Sequence, residues 1–155
     1  MKHEEEIRID ELFENYPLSL MLSADPDIKK IEKCLNKGHC FVAFINNKAV
    51  GEYILQDLKN GDAEITNLAI HENFHRQGIG SFLLKDATYR AKNEGFSTLI
   101  VKTGRDTYQQ RFYEKSGFSA YFIDEGYFTR NYSFPIMENG IQHIDQVSLK
   151  KVLTE

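Results

Sequence analysis

The chain has 155 residues, 41% of them hydrophobic and 12% aromatic, which suits one domain whose core needs neither disulfides nor metals. With 19 Lys and Arg against 23 Asp and Glu the net charge is −4, so the general cationic face that nucleic acid or an anionic membrane requires is missing. Cys34 and Cys40 have no CxxC spacing and no companion histidine pair, so they read as reduced, half-buried thiols, and no metal is expected. The charged start Met1-Lys2-His3-Glu4-Glu5-Glu6 lacks the apolar stretch of a signal peptide, and no apolar run reaches the roughly eighteen residues of a membrane span. A cytoplasmic protein is the expectation.

No linker or repeat divides the chain, so a single domain over residues 1–155 is expected. Asp25-Pro26-Asp27 starts a helix with Ile28, Ile31 and Leu35 at helical spacing and Gly38 as its stop. Phe41 to Ile45 is a strand, turned by Asn46-Asn47-Lys48 into Val50 to Leu55; Asn60-Gly61-Asp62 then leads to a third strand, Ala63 to Ile70. Ile79, Phe82, Leu83, Ala87 and Ala91 recur at helical spacing up to Asn93-Glu94-Gly95. Thr98 to Thr103 is a buried strand, Asp106 to Ser116 a helix, Phe118 to Ile123 a strand, and His143 to Leu149 a final strand with imperfect alternation. With a strand at the start, the order predicts an α/β sheet of mixed direction.

Between the third strand and the long helix lies His75-Arg76-Gln77-Gly78-Ile79-Gly80-Ser81. Glycines there let the backbone approach a ligand, and the helix start offers unpaired N–H groups and a positive dipole end, for which a diphosphate is the natural guest. The competing explanation is a turn that needs small residues to pack strand on helix. A dinucleotide fingerprint fails because Leu83 stands where its third glycine is needed, and a Walker loop fails for want of Gly-Lys-Ser/Thr.

Asn67-Leu68-Ala69-Ile70, His75 through Ser81 and Phe82-Leu83-Leu84 together resemble the acyl-CoA-binding motif of the GNAT superfamily of N-acyltransferases. Arg111-Phe112-Tyr113-Glu114-Lys115-Ser116-Gly117-Phe118 resembles the superfamily's later segment, where a Tyr, three residues and Gly-Phe recur, and Pro135-Ile136-Met137-Glu138-Asn139-Gly140-Ile141 is similar to a small bacterial subgroup. The resemblance implies a GNAT fold, a single mixed central sheet of about seven strands flanked by about four helices. It also implies acetyl-CoA as co-substrate. The diphosphate would lie on His75, Arg76, Gln77, Gly78, Ile79, Gly80 and Ser81, and the pantetheine arm would pair with the backbone of Leu68, Ala69 and Ile70 as an extra strand. The family's Arg or Gln at the first loop position is His75 here, and the Asn seven residues before the Tyr, which touches the pantetheine arm, is Asp106.

Acyl transfer from a thioester to an amine needs a neutral amine, a hold on the oxyanion and a proton for the thiolate. A lysine-like amine of pKa about 10.4 is neutral about once in 2,500 molecules at pH 7, so presenting it deprotonated is worth on the order of 4–5 kcal/mol. By resemblance Glu64 takes that proton, directly or through water; its ordinary reading is a carboxylate on a solvated strand end or one paired with a lysine. Tyr113 falls at the family's thiolate-facing tyrosine and would supply the thiolate proton; core packing beside Phe112 is the competing role. The aromatic segment Tyr121 to Phe134 reads either as a wall receiving a cationic amine or as sheet packing with a dimer face. Glu138 could line the acceptor site or stabilise its turn.

The expected function is transfer of an acetyl group from acetyl-CoA to a primary amine by direct attack, with a small-molecule or protein amine as partner, no nucleic acid, no membrane and a homodimer as one open state. The rivals are a non-catalytic acyl-CoA sensor and a nucleotide-binding module.

Overall fold

Asn46 and Asn47 both hold positive φ (48° and 63°), the pair of left-handed conformations that a two-residue hairpin turn demands. They fold β2 (Gly38–Ile45) onto β3 (Lys48–Asp57), and a second turn at Gly61 brings in β4 (Asp62–Ile70). The computed structural model describes residues 6–154. β1 (Arg8–Leu12) adds to the outer edge of β2, with Arg8 opposite Phe44. On the other side stand β5 (Thr98–Gly104), β9 (Gln146–Val152) and β6 (Ser119–Asp124), giving a seven-stranded sheet in the order β1-β2-β3-β4-β5-β9-β6. Only the β4–β5 pair is parallel.

Helices cover both faces. α3 (Ile79–Asn93) lays Ile79, Leu83, Leu84, Ala87 and Ala91 on the larger core, beside Tyr113 of α4 (Tyr108–Lys115). Gly51 permits the contact, since a Cβ there would stand 2.9 Å from Leu83 Cδ1. A polar clamp fixes the same helix: the Tyr53 hydroxyl donates to Asp86 (2.6 Å), Arg90 Nε donates to the same oxygen (2.8 Å), and the guanidinium lies 4.3 Å from the Phe41 ring centroid. On the opposite face α1 (Leu18–Ala24) and α2 (Ile28–Lys37) close a smaller core of Met21, Ile31, Cys40, Val42 and Ile54. The Asp27 side chain caps α2 by accepting from Lys29 N–H (3.0 Å), and both cysteines are free thiols, Cys34 half-buried and Cys40 buried.

The sequence order is recovered with additions. α1 starts behind Pro17 with no side-chain cap and spans only seven residues, too few for periodicity to declare it. The expected final strand is two elements: Ile141–His143 (β8) pairs with Ile136–Glu138 (β7), and β9 starts at Gln146. Asp145 breaks them by turning out to take Gly126 N–H (2.9 Å) and Arg105 (3.3 Å), which explains the imperfect alternation. A short fifth helix, α5 (Tyr127–Asn131), sits within the aromatic segment. The helix expected from Asp106 starts at Tyr108: Thr107 is its cap, and Asp106 stays outside at φ 60°.

One group violates the logic of the core. Glu52, in the middle of β3, is 0% exposed, and neither carboxylate oxygen has a hydrogen-bond partner among the described residues. Burial pushes its pKa up to about 8, with the Ala69 amide a smaller opposing influence. The folded state therefore holds a proton that the unfolded chain releases near the ordinary carboxylate value, and stability falls as pH rises from about 4.5 to 8. Glu52→Gln removes the titration, so the melting temperature of the variant relative to the wild type is expected to climb between pH 5 and pH 9, by several degrees; a difference that stays constant across that range would show that Glu52 does not titrate in the fold.

Candidate functional site

The site begins where the sheet divides. β4 and β5 pair from Asp62↔Thr98 to Ile65↔Val101 and no further, while β4 continues to Ile70 alongside β3 and β5 continues to Gly104 alongside β9. A bulge at Thr66 marks the parting, because Leu55 faces Ile65 and the next pair is Ile54 with Asn67. Beyond it, the His71 N–H donates to Val50 O (2.8 Å). Antiparallel alternation then turns the N–H groups of Leu68 and Ile70 and the Leu68 carbonyl away from β3, into the opening, while the Ile70 carbonyl takes the His75 ring. A cleft of about 1980 Å³ runs through this wedge from the α3–α4 side to the α1–α2 side.

On the first side the mouth is built from backbone. Arg76 (φ 61°) and Gly78 (φ 84°) both lie in the left-handed region, which wraps the loop around the start of α3, and no side chain caps that helix. His75, Arg76, Gly78, Ile79, Gly80 and Ser81 line the cleft with the helix start among them. The His75 ring is committed elsewhere in part: its Nε2 bonds the Ile70 carbonyl (2.9 Å), pinning the loop to the end of β4. Gln77 folds back to donate to Asn73 O (3.2 Å) and is not among the lining residues. Gly80 is small for a second reason, since a Cβ there would meet the Phe112 ring at 3.1 Å; the two helices meet at that point.

Tyr113 stands at the inner end of this half. Its ring packs against Phe112 and Phe118 with centroids 5.3 and 5.8 Å away. The residue is 8% exposed and lines the cleft, and no hydrogen bond fixes its hydroxyl among the described residues. Burial, and secondarily the charge of Glu52, holds its proton on well above the ordinary tyrosine range. Packing and access to the cleft are therefore both true of this residue.

Glu64 lines the cleft from β4 with a side chain 15% exposed, 3.8 Å from Lys102 Nζ. Burial raises its pKa, and Lys102 opposes the shift. Leu68, Ala69 and Ile70 also line the wedge. Asp106 does not: its side chain is 85% exposed on the turn before α4, 3.8 Å from Arg105, and the structure does not bring it to the cleft.

The α1–α2 half holds groups that periodicity and motif could not assemble. Asp25 takes the Asp27 N–H (3.0 Å) and, mainly through burial, has a raised pKa. Phe128 stacks on Tyr132 (5.9 Å) and meets the His143 ring edgewise (5.3 Å), so part of the aromatic segment lines the cleft, while Tyr121 and Phe122 lie exposed on the edge strand β6. Glu138 is held by two neighbours, Gln109 Nε2 (2.5 Å) and His143 Nε2 (3.3 Å). Gly104 makes room for that imidazole, since a Cβ there would stand 2.8 Å from its Nδ1. Among the described residues no cluster of three His, Cys, Asp or Glu could hold a metal ion, and no helix is long and apolar enough to cross a membrane.

Comparison with known proteins places this architecture. The family model for the GNAT acetyltransferase domain matches residues 36–120, which include the loop, the wedge and α4. An uncharacterized N-acetyltransferase, YvbK of Bacillus subtilis (strain 168), is 36% identical over 141 residues, covering 90% of this chain and 88% of its own. A GNAT family acetyltransferase from Elizabethkingia anophelis, solved with acetyl-CoA bound, superposes with a TM-score of 0.92 at 37% identity over 96% of this chain and 99% of that one. A Bacillus subtilis acetyltransferase solved in complex with CoA gives 0.89 at 34% identity, over 96% and 99% of the two chains. An IAA acetyltransferase from Bacillus cereus ATCC 14579 gives 0.90 at 36%, over 95% and 99%. With sheet, wedge and loop in agreement, the chain belongs to the GNAT acetyltransferase family.

Proposed function

We propose that the protein transfers an acetyl group from acetyl-CoA to a primary amine by direct attack of the amine on the thioester. The observation that carries this reading is the wedge itself: backbone groups of Leu68 and Ile70 turned into it, an uncapped helix start at its outer end and the Tyr113 side chain at its inner end. Acetyl-CoA or CoA in two solved relatives above 30% identity supports the choice of guest. The diphosphate would take the amides at the start of α3, and the pantetheine arm would bond Leu68 and Ile70 as a further strand between β4 and β5. The thioester then reaches Tyr113, whose hydroxyl would meet the departing thiolate in the cleft and give it a proton.

Glu64 faces the other end of the same opening. Burial raises its pKa, with Lys102 at 3.8 Å opposing the shift, which suits a carboxylate that docks an ammonium group and draws off its proton. Direct attack needs no protein nucleophile: Cys34 is the one cysteine lining the cleft, and burial raises its pKa, which disfavours the thiolate. A non-catalytic acyl-CoA sensor would have no use for the enclosed acceptor half behind Tyr113.

Gly78→Val is expected to weaken acetyl-CoA by more than tenfold, about 1.4 kcal/mol or more, because a β-branched residue at positive φ distorts the loop. Calorimetry alongside a melting curve checks this, and unchanged affinity would remove the loop from the acetyl-CoA site. Tyr113→Phe should lower kcat about ten- to a hundredfold with acetyl-CoA affinity nearly intact; a wild-type kcat would leave Tyr113 with packing alone. Glu64→Gln should depress kcat/KM most at low pH, where free amine is scarce, with the defect shrinking as solvent takes over deprotonation. A defect of equal size at every pH would mark Glu64 as a binding contact only. These measurements use free-thiol release with spermidine, tyramine, lysine and an alanine-terminated peptide as acceptors, and the amine that turns over identifies the class.

A further inference from the structure

The acetyl-transfer chemistry makes no use of the β7–β8 hairpin, yet two of its side chains are held in the cleft wall by residues from distant parts of the chain. Asn139 (φ 51°) and Gly140 (φ 76°) make its two-residue turn by themselves, so the neighbouring Glu138 side chain is not needed to form it. One Glu138 oxygen takes Gln109 Nε2, and the other is bonded to His143 Nε2 (3.3 Å). His143 faces Ile136 in the hairpin register, so it and Glu138 are diagonal neighbours on one face. Gly104 leaves space for the imidazole, and Phe128 meets it edgewise.

Hydrogen-bonding capacity is left over in this cluster. Gln109 commits its amide nitrogen to Glu138, while its Oε1 is buried with no hydrogen-bond partner among the described residues, a state that folded proteins avoid unless a ligand or water relieves it. The Glu138 side chain is 38% exposed, each of its oxygens has one neighbour and capacity for a second donor, and no lysine or arginine pairs with it among the described residues. Gln109, Glu138 and His143 all line the cleft. A carboxylate and an amide oxygen on two side chains bonded to each other fit a guest that is positively charged and carries several N–H donors, which is an ammonium group.

Two relations place this cluster against the reacting centre. Gln109 stands one turn before Tyr113 on α4, so the two side chains share a face of that helix. On β5, alternation puts Ile100, Lys102 and Gly104 on one face of the sheet; Glu64 is the partner of Ile100 and lies 3.8 Å from Lys102 Nζ, whereas His143 rests on Gly104. Glu64 and the His143–Glu138 pair therefore stand at opposite ends of a four-residue stretch of strand, about 13 Å long. From His143 an aromatic wall of Phe128 and Tyr132 continues along the cleft toward α2, whose Cys34 Sγ lies 4.0 Å from the Thr66 carbonyl, two residues from Glu64.

We propose that Glu138, together with Gln109 Oε1, binds the second cationic group of an acceptor that carries two amines, while the first is presented to the thioester at Glu64. The proposal rests on the acetyl-transfer reading and narrows its substrate class to long α,ω-diamines and extended relatives such as spermidine, whose methylenes lie along Phe128 and Tyr132. The two carboxylates suit the two ends. Lys102 balances Glu64, where the ammonium must give up its proton to become a nucleophile. No such cation balances Glu138, where the guest keeps its charge. A monoamine would leave both Glu138 and Gln109 Oε1 without that partner.

The test follows free-thiol release from acetyl-CoA with α,ω-diamines from 1,3-diaminopropane to 1,8-diaminooctane and with spermidine, each diamine beside the 1-aminoalkane of equal length. In the wild type the longer diamines should exceed their monoamines in kcat/KM by about tenfold or more, with little difference for the shortest pair. Glu138→Gln should remove that advantage through KM, while monoamine turnover and acetyl-CoA affinity stay unchanged. Glu138→Lys should reverse it, so that the ω-amino acid of the same length overtakes the diamine. That reversal decides the matter, for or against, if a melting curve shows the first variant to be poorly folded. Equal kcat/KM for diamines and matched monoamines in the wild type, an equal loss on both in Glu138→Gln, or weakened acetyl-CoA binding in that variant overturns the subsite and leaves the transferase reading intact. Turnover confined to amines outside this series does the same. An absence of turnover with every amine, despite tight acetyl-CoA binding, overturns the transferase reading and the subsite with it.

Discussion

The parting of β4 from β5 is the constraint on which the rest of the structure depends. Parallel pairing holds the two strands together as far as Ile65 and Val101, and each then follows its other neighbour. Backbone groups left inside a sheet without a ladder must find partners elsewhere, because an unpaired buried amide or carbonyl costs as much as a lost hydrogen bond. The bulge at Thr66 and the His75 bond to Ile70 set the course of the β4 arm beside the wedge, and the polar clamp of Tyr53, Asp86 and Arg90 ties α3 to β3 next to it.

The two helices beside the wedge divide the labour. α3 presents amides and a dipole to the outer end, and α4 carries Tyr113 to the inner end; Gly80 against Phe112 sets how closely the two approach. A larger residue at 80 therefore displaces α4, which carries Tyr113, as well as crowding the loop. On the far face, α1, α2 and the segment from Tyr127 to His143 line the other half of the cleft, where Glu64 lies 3.8 Å from Lys102, Lys30 sits over the Tyr132 ring and Glu138 bonds Gln109 and His143. The mixture of signs there fits an acceptor that is held by specific pairs and not by a uniform field.

Much of this was legible in the sequence for local reasons. Asn46-Asn47, the Asp27 cap and the apolar stripe of α3 each act within a few residues, and the structure follows them. The loop from His75 to Ser81 was legible through the family resemblance, since glycine spacing by itself is equally a packing device. What escaped was set by long-range contact. α1 lacks a polar cap, the β7–β8 hairpin is held by Glu138 with Gln109 and His143 from distant parts of the chain, and Glu52 occupies a strand position whose neighbours give no hint that it will be sealed from water. Asp106 reads as a member of the site by its offset from Tyr113, yet a turn at positive φ carries it outward.

Amide hydrogen exchange in the presence and absence of acetyl-CoA, resolved to single residues by NMR, is the most direct measurement of the wedge as the acetyl-CoA site. The N–H groups of Leu68 and Ile70 should gain strong protection on binding, together with those at the start of α3, while amides of β1 and β6 stay unchanged. Acetyl-CoA that binds and leaves the exchange of Leu68 and Ile70 unaltered would contradict the placement of the pantetheine arm between β4 and β5.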